Sequence, residues 1–280
     1  KGKRTMAPTV QNNDYTTNRI GGTGIGSRAG QGLFAESSTA KYDLGAKLEF
    51  SDGRVFRYTQ AGGAVTAGHL VAQDFSAGNI AEFDDATISP VAAGATVITI
   101  TASALSGVDD VNELAGSYLM TIDGTGEYYS YKIKSHTVES SNAVEFTLFD
   151  PLHTAVASGT TDLQIIAPAF RKVITCAAST DANSDTMPVG VSFRGLTSAY
   201  YGWIQTSGIA CVRYDLNSLT ATDIHAGRPV VPSVNHGGSV QPSQAAAEGT
   251  ANDLSYQVGT LAYGDVVDNQ QAAVYLNLPA

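Results

Sequence analysis

From residue 44 onward, apolar and polar residues alternate in short runs, and glycine or Asp-Gly turns cut each run within about a dozen residues. Leu48 and Phe50 alternate with Lys47 and Glu49, and Val144, Phe146 and Leu148 with Glu145 and Thr147. Val97-Ile98-Thr99-Ile100-Thr101 is β-branched throughout. A period of two sends successive side chains to opposite faces of a strand, so such runs present one apolar face as strands and none as helices. Many short strands at regular spacing indicate a sandwich or barrel. The expectation is an all-β chain: a short-stranded β-barrel or sandwich body with an inserted β-rich domain and an extended N-terminal arm.

Particular turns sharpen this. Keeping Leu48, Phe50, Phe56 and Tyr58 on one face of a hairpin requires a three-residue loop with Gly53 in the left-handed region. Tyr118–Ile122 and Tyr129–Ile133 flank Asp123-Gly124-Thr125-Gly126, a second hairpin. Further strands are expected at Val189–Phe193, Tyr200–Gln205, Ile209–Tyr214, 230–231, 239–241, 257–259 and Ala273–Leu278. Thr66-Ala67-Gly68-His69 and His225-Ala226-Gly227-Arg228 read as one turn phrase used twice, each followed by a short apolar strand. The stretch 109–116 is the single helix candidate, with acidic residues at its start and Gly116 as its stop. Charged residues make up only 15% of the chain, against the usual ~25%, and long runs of helix formers are absent.

Residues 1–43 read as an extended, Gly-rich basic arm, because they lack periodic apolar residues. Residues 44–84 and 171–280 form the expected body, and 85–170 the inserted domain. Lys1, Lys3, Arg4, Arg19, Arg28 and Lys41 against Asp14 and Glu36 give residues 1–41 a net +4, so the remainder carries −14 of the total −10. An acidic body repels nucleic acid, and no nucleic-acid partner is expected. The arm suits an acidic protein neighbour, including a second copy, with Lys3, Arg4, Arg19, Arg28, Leu33, Phe34 and Lys41 as contacts. No run approaches the ~18 apolar residues of a membrane helix, and no membrane partner is expected. The basic start is not followed by an apolar stretch, so no secretory leader is visible.

Chemistry is sparse. HExxH, CxxC, P-loop and GxSxG patterns are absent, no catalytic residue is assigned, and an enzyme is not expected. Gly24-Ile25-Gly26-Ser27-Arg28-Ala29 matches a dinucleotide fingerprint literally but lacks the strand and helix that give it meaning. Five scattered histidines (69, 136, 153, 225 and 236) lack ligand spacing and are expected on the surface or in turns. Asp84-Asp85 and Asp109-Asp110 read as acidic turns rather than calcium loops, so neither a metal nor a cofactor is expected. Cys176 and Cys211 lie in apolar runs and are expected to be buried free thiols. Tyr128, Tyr201 and Trp203 are candidates for exposed aromatics that grip a partner or a sugar.

The run Tyr200-Tyr201-Gly202-Trp203-Ile204-Gln205-Thr206-Ser207-Gly208-Ile209-Ala210 resembles a strand pair in tailed-phage capsid decoration (cement, head-stabilising) proteins of marine-metagenome type. Ala226-Gly227 through Val231, Gly237–Gln241, Val258–Ala262 and Ala273–Leu278 are similar to the same group, as are Ser89–Ala95 and Asp123–Glu127. The resemblance touches about two thirds of the chain through short phrases. It implies a homotrimeric β-protein on the outside of an icosahedral virion, partnered with the major capsid protein and made in the host cytoplasm. It supplies no active site. The alternative is a carbohydrate- or host-binding β-protein displayed on a virion or cell surface.

Overall fold

A computed structural model describes residues 31–74, 80–83, 87–102, 105, 108, 110–157, 159–178, 186–216, 225–243, 256–263 and 267–278. Among these there is no α-helix, and the architecture is all-β, as the alternation predicts. The first strands are β1 (Lys47–Glu49), β2 (Val55–Gln60) and β3 (His69–Asp74). Next come β4 (Ile80–Phe83), β5 (Thr87–Ile88), β6 (Val97–Thr101), β7 (Tyr118–Gly124), β8 (Ser130–His136), β9 (Ala143–Leu148) and β10 (Thr161–Ile166). The chain continues through β11 (Ile174–Thr175), β12 (Thr186–Ser192), β13 (Tyr201–Arg213), β14 (Pro229–Pro232), β15 (Val240–Pro242), β16 (Gly259–Leu261) and β17 (Gln271–Asn277).

Two antiparallel sheets result. The larger runs β11-β3-β12-β13-β17-β16-β14-β15, with the β1–β2 hairpin paired to β13. The smaller runs β4-β10-β7-β8-β9-β6-β5 and takes all its strands from residues 80–166. The larger sheet curls until its last strand returns to its centre: Tyr214 bridges Val240, and the Asp215 N–H donates to the Val240 carbonyl at 2.8 Å. Curling encloses a core of Leu70, Val212, Tyr214, Val240, Val274 and their neighbours, while sparing that edge from solvent. A second cluster, with Val65, Val71, Val189 and Ile204, covers the other face of β3 and β12.

The β1–β2 hairpin has the expected geometry. Leu48 faces Phe56, Phe50 and Arg54 close the ladder, and Gly53 has φ +87° in a three-residue loop. The duplicated Ala-Gly phrase is one turn built twice. Gly68 (φ +76°) and Gly227 (φ +84°) each sit third in a turn, and each N–H donates to the carbonyl of a neighbouring strand segment, Ser192 or Leu261. The same turn launches β13 with Ala199 (φ +65°) and β17 with Asn269 (φ +58°).

Two expectations need correction. The Tyr200–Gln205 and Ile209–Tyr214 strands are one 13-residue strand, β13, and Gly208 does not turn the chain back. A register shift between Gln205 and Ser207 bends the strand, and the buried Gln205 amide donates to the Ser207 and Ile209 carbonyls, satisfying the bulge from within. Gly208 (φ +83°) also passes Arg54 so closely that a Cβ would lie 2.9 Å from its Cα. The helix candidate at 109–116 is a series of tight turns over the described residues 110–116. Asn112 (φ +64°) and Gly116 (φ +86°) reverse the handedness a helix needs.

Candidate functional site

The end of the predicted arm belongs to the body. Gln31 is tied to β2 and β13 three ways: its amide donates to the Tyr201 carbonyl (2.7 Å), its side-chain oxygen accepts from the Tyr58 hydroxyl (2.6 Å), and its carbonyl accepts from the Trp203 indole (3.3 Å). Leu33, expected to grip a neighbour, is instead buried in a cluster with Leu48, Phe56, Tyr58 and Trp203. The Glu36 carboxylate lies 3.6 Å from Arg194 and accepts from the Thr197 N–H at 2.9 Å, and Ser37 bridges Tyr201. Each contact satisfies a group that an arm lying free would leave to water, so residues 31–37 add an irregular layer over β13.

Other candidates divide. Phe34 is 66% exposed, with its ring edge-on to Phe193 at 5.2 Å, and Lys41 is exposed. Lys3, Arg4, Arg19 and Arg28 lie outside the described residues, as do the Gly24–Ala29 match, Asp84-Asp85 and Asp109. Trp203 is a correction: at 1% exposure it is core, not a partner platform. It lies on β13 beneath residues 31–37 and against Tyr42 and Tyr58, whose ring centroids are 5.3 and 5.1 Å away. Tyr201 is half-buried, and its ring stacks on Tyr58 at 6.1 Å. Tyr128 is 87% exposed at the tip of the β7–β8 hairpin with φ +76°, a conformation bulky residues rarely adopt.

Three polar groupings could carry chemistry. Ser233, His236 and Asp215 meet where the larger sheet closes. Their composition suggests a nucleophilic triad, but the wiring differs. The buried Ser233 hydroxyl donates to Asp215 Oδ2 at 2.5 Å, and His236 Nδ1 shares that same oxygen at 3.1 Å. A relay needs the imidazole between serine and carboxylate. Here the carboxylate sits between them, and the Ser233 oxygen also accepts from the Asn235 and His236 N–H groups. The group is a knot that fastens the seam.

His136 is a second such fastening and corrects its surface assignment. It is buried, accepts at Nε2 from the Leu114 N–H (2.7 Å) and lies 2.7 Å through Nδ1 from the Thr137 carbonyl. That pairing requires the neutral tautomer with its proton on Nδ1. Cys176 is buried, and desolvation pushes its thiol up to about 11, which leaves it unreactive at neutral pH. Cys211 is exposed on β13, contrary to expectation, because its register puts it on the outer face beside Ala273.

The third grouping joins the two sheets. Glu113, in the turns before β7, accepts from Lys172 Nζ at 2.7 Å and from the guanidinium of Arg171, which is only 2% exposed. Burial alone would raise the Glu113 carboxyl, but the Lys172 hydrogen bond and both positive charges outweigh it and hold it below its ordinary value. Beside this cluster a cleft of about 900 Å³ opens among Tyr42, Asp43, Gln60, residues 110–113, Arg171, Lys172 and Tyr201. Among the described residues no group of three or more His, Cys, Asp or Glu side chains is placed to hold a metal ion. Sequence reading missed Gln31, Glu113 and Arg171. The one signal available was Arg171-Lys172, an adjacent cationic pair in a chain with few charges.

No family model, curated protein or solved structure matches this chain.

Proposed function

We propose that this protein is a virion structural protein of the tailed-phage decoration type. It seats on the outer face of an icosahedral capsid as a homotrimer and bridges neighbouring major capsid protein subunits. The observation that carries the reading is the fastening of residues 31–37 to the aromatic cluster around Trp203. It gives the basic leader a fixed root on an acidic body, so that a contact made by residues 1–30 is transmitted to the whole fold rather than absorbed by a slack tether. The resemblance of the 200–210 phrase supports the same class. So does the wiring of Ser233, Asp215 and His236, which suits holding a sheet closed better than turning over a substrate.

The work of such a protein is thermodynamic: opening the shell must also break the contacts that bridge its subunits. Purified shells carrying the protein are expected to open at higher temperature than shells without it. Equal opening temperatures would refute the proposal. The root also dictates where to cut. Deleting residues 1–30 should leave a folded body that no longer stays on shells, whereas deleting 1–41 also removes Gln31 and Leu33 and should destabilise the body itself.

A further inference from the structure

We propose that the cleft at the junction of the two sheets is a binding site for a neutral saccharide. This goes beyond the capsid reading and does not rest on it. Its volume, about 900 Å³, is in the range of small-ligand sites, which favour junctions between structural units. Asp43 and Gln60 reach it from the body, and Asp110 and Asn112 from the turns before β7. The walls are set before any ligand arrives. Glu113 clamps Arg171 and Lys172, and the Asn112 side chain accepts from the His136 N–H at 2.9 Å. Asn112 (φ +64°) and Lys172 (φ +48°), on opposite sides of the junction, both hold backbone conformations that cost energy. Gly62 packs so closely that a Cβ there would lie 2.5 Å from the Lys172 carbonyl, which fixes that wall. Preorganised walls reduce the ordering cost of binding.

The lining chooses among ligand classes. Asp43, Asp110 and Glu113 outweigh Arg171 and Lys172 by one charge, on a body already at −14, so polyanions are repelled. An apolar ligand would displace water from Asp43, Asp110, Gln60 and the Asn112 amide nitrogen without replacing the hydrogen bonds. A hydroxyl-rich neutral ligand meets each need: its O–H groups donate to the two aspartates and accept from the amides. The half-buried Tyr42 and Tyr201 at the body wall supply the aromatic surface that sugar C–H groups pack on.

The test uses the intact protein on an array of neutral and acidic oligosaccharides from bacterial surface polysaccharides, with hits measured by calorimetry. Neutral glycans should bind, and Asp43→Ala and Asp110→Ala should each weaken binding at least tenfold while leaving the thermal midpoint in place. Tyr128→Ala, at the remote hairpin tip, should bind as the parent does. The proposal is overturned if no glycan is retained, if only acidic glycans are, if the two aspartate variants bind normally, or if Tyr128→Ala abolishes binding. A protein that stabilises shells yet retains no glycan refutes this inference and leaves the capsid reading standing; glycan binding without shell stabilisation does the reverse.

Discussion

Along β8, β9 and β10 of the smaller sheet, burial alternates: Tyr131, Ile133, Val144, Phe146, Leu148, Leu163 and Ile165 face a single core, with Lys132, Lys134 and Glu145 outside. In the larger sheet, β3, β12 and the first half of β13 are buried at nearly every position. Leu70 and Ala72 serve one core and Val71 the other, and in β12 Val191 and Val189 divide the same way. One sheet is stabilised by large side chains on a single face. The other is apolar on two faces, carries the largest fully buried side chains among the described residues (Trp203, Tyr58, Tyr214 and Phe56), and also buries polar groups, Gln73, Gln205, Asp215 and Gln241 among them, that must find partners inside. The first kind of sheet is vulnerable to lost volume, the second to a lost hydrogen bond as well.

The largest expected effect tests the first half of that contrast. Phe146→Ala should cost about 3–5 kcal/mol, read by chemical denaturation, because Phe146 is fully buried in the one-sided core. Hydrogen exchange should rise first in β6, β8 and β9. The fluorescence of Trp203, the chain's single tryptophan, should shift little before global unfolding. Early loss of the Trp203 signal would mean that the two sheets stand or fall together.

The second test strikes the larger sheet. Asp215→Ala should cost about 2–4 kcal/mol, since it leaves the buried Ser233 O–H without its acceptor and loosens the seam where β15 meets the end of β13. A loss below about 1 kcal/mol would show that the knot is incidental.

The link between the sheets comes third. Glu113→Gln should cost about 1–3 kcal/mol by removing the carboxylate paired with the buried Arg171 guanidinium. Because the native Glu113 carboxyl is held below its ordinary value, the unfolded chain binds the proton more readily. The parent should therefore lose stability as pH falls below roughly 4.5, and the variant should lose less over that window. His69 adds an earlier acid loss of the same sign. Burial first, and the Arg213 charge second, lower its value, so its contribution fades as pH drops below about 6.5.

Two changes should stabilise. The Tyr214 hydroxyl is buried without a hydrogen-bond partner among the described residues, and desolvation pushes its ionisation up to about 12. Tyr214→Phe should raise stability by about 1 kcal/mol, and a loss of similar size would reveal a partner to that oxygen. Ala199→Gly should add about 0.5–1 kcal/mol by relieving the left-handed turn that launches β13, measured as a raised thermal midpoint.

How far these regions could be read beforehand follows the same contrast. Strands buried on one face announce themselves by alternation, and β6, β9 and the β1–β2 hairpin were legible residue by residue, while β8, expected at Tyr129–Ile133, runs on to His136. Strands buried on both faces show continuous apolar runs with small and polar residues mixed in, and their ends blur. In β13, Ser207-Gly208 has the composition of a turn. Only the Gln205 amide, reaching the Ser207 and Ile209 carbonyls, lets the strand continue through it. The candidate site was less legible still. Asp43, Glu113 and Arg171 are far apart in sequence, and nothing local marks them as neighbours.

The basic leader and acidic body, the low charge density and the all-β class were settled by the residues alone, because net charge adds along a chain and strand periodicity is a local property. Where the arm ends was not. Residues 31–37 are as poor in apolar pattern as those before them, and they join the fold because the Trp203 cluster and the open side of Tyr201 at the start of β13 offer partners for their backbone and for Leu33. That decision, like the curling that brings Val240 to Tyr214 and the closeness of Glu113 to Arg171, depends on contacts between distant segments, whose energy exists only once the sheets have formed.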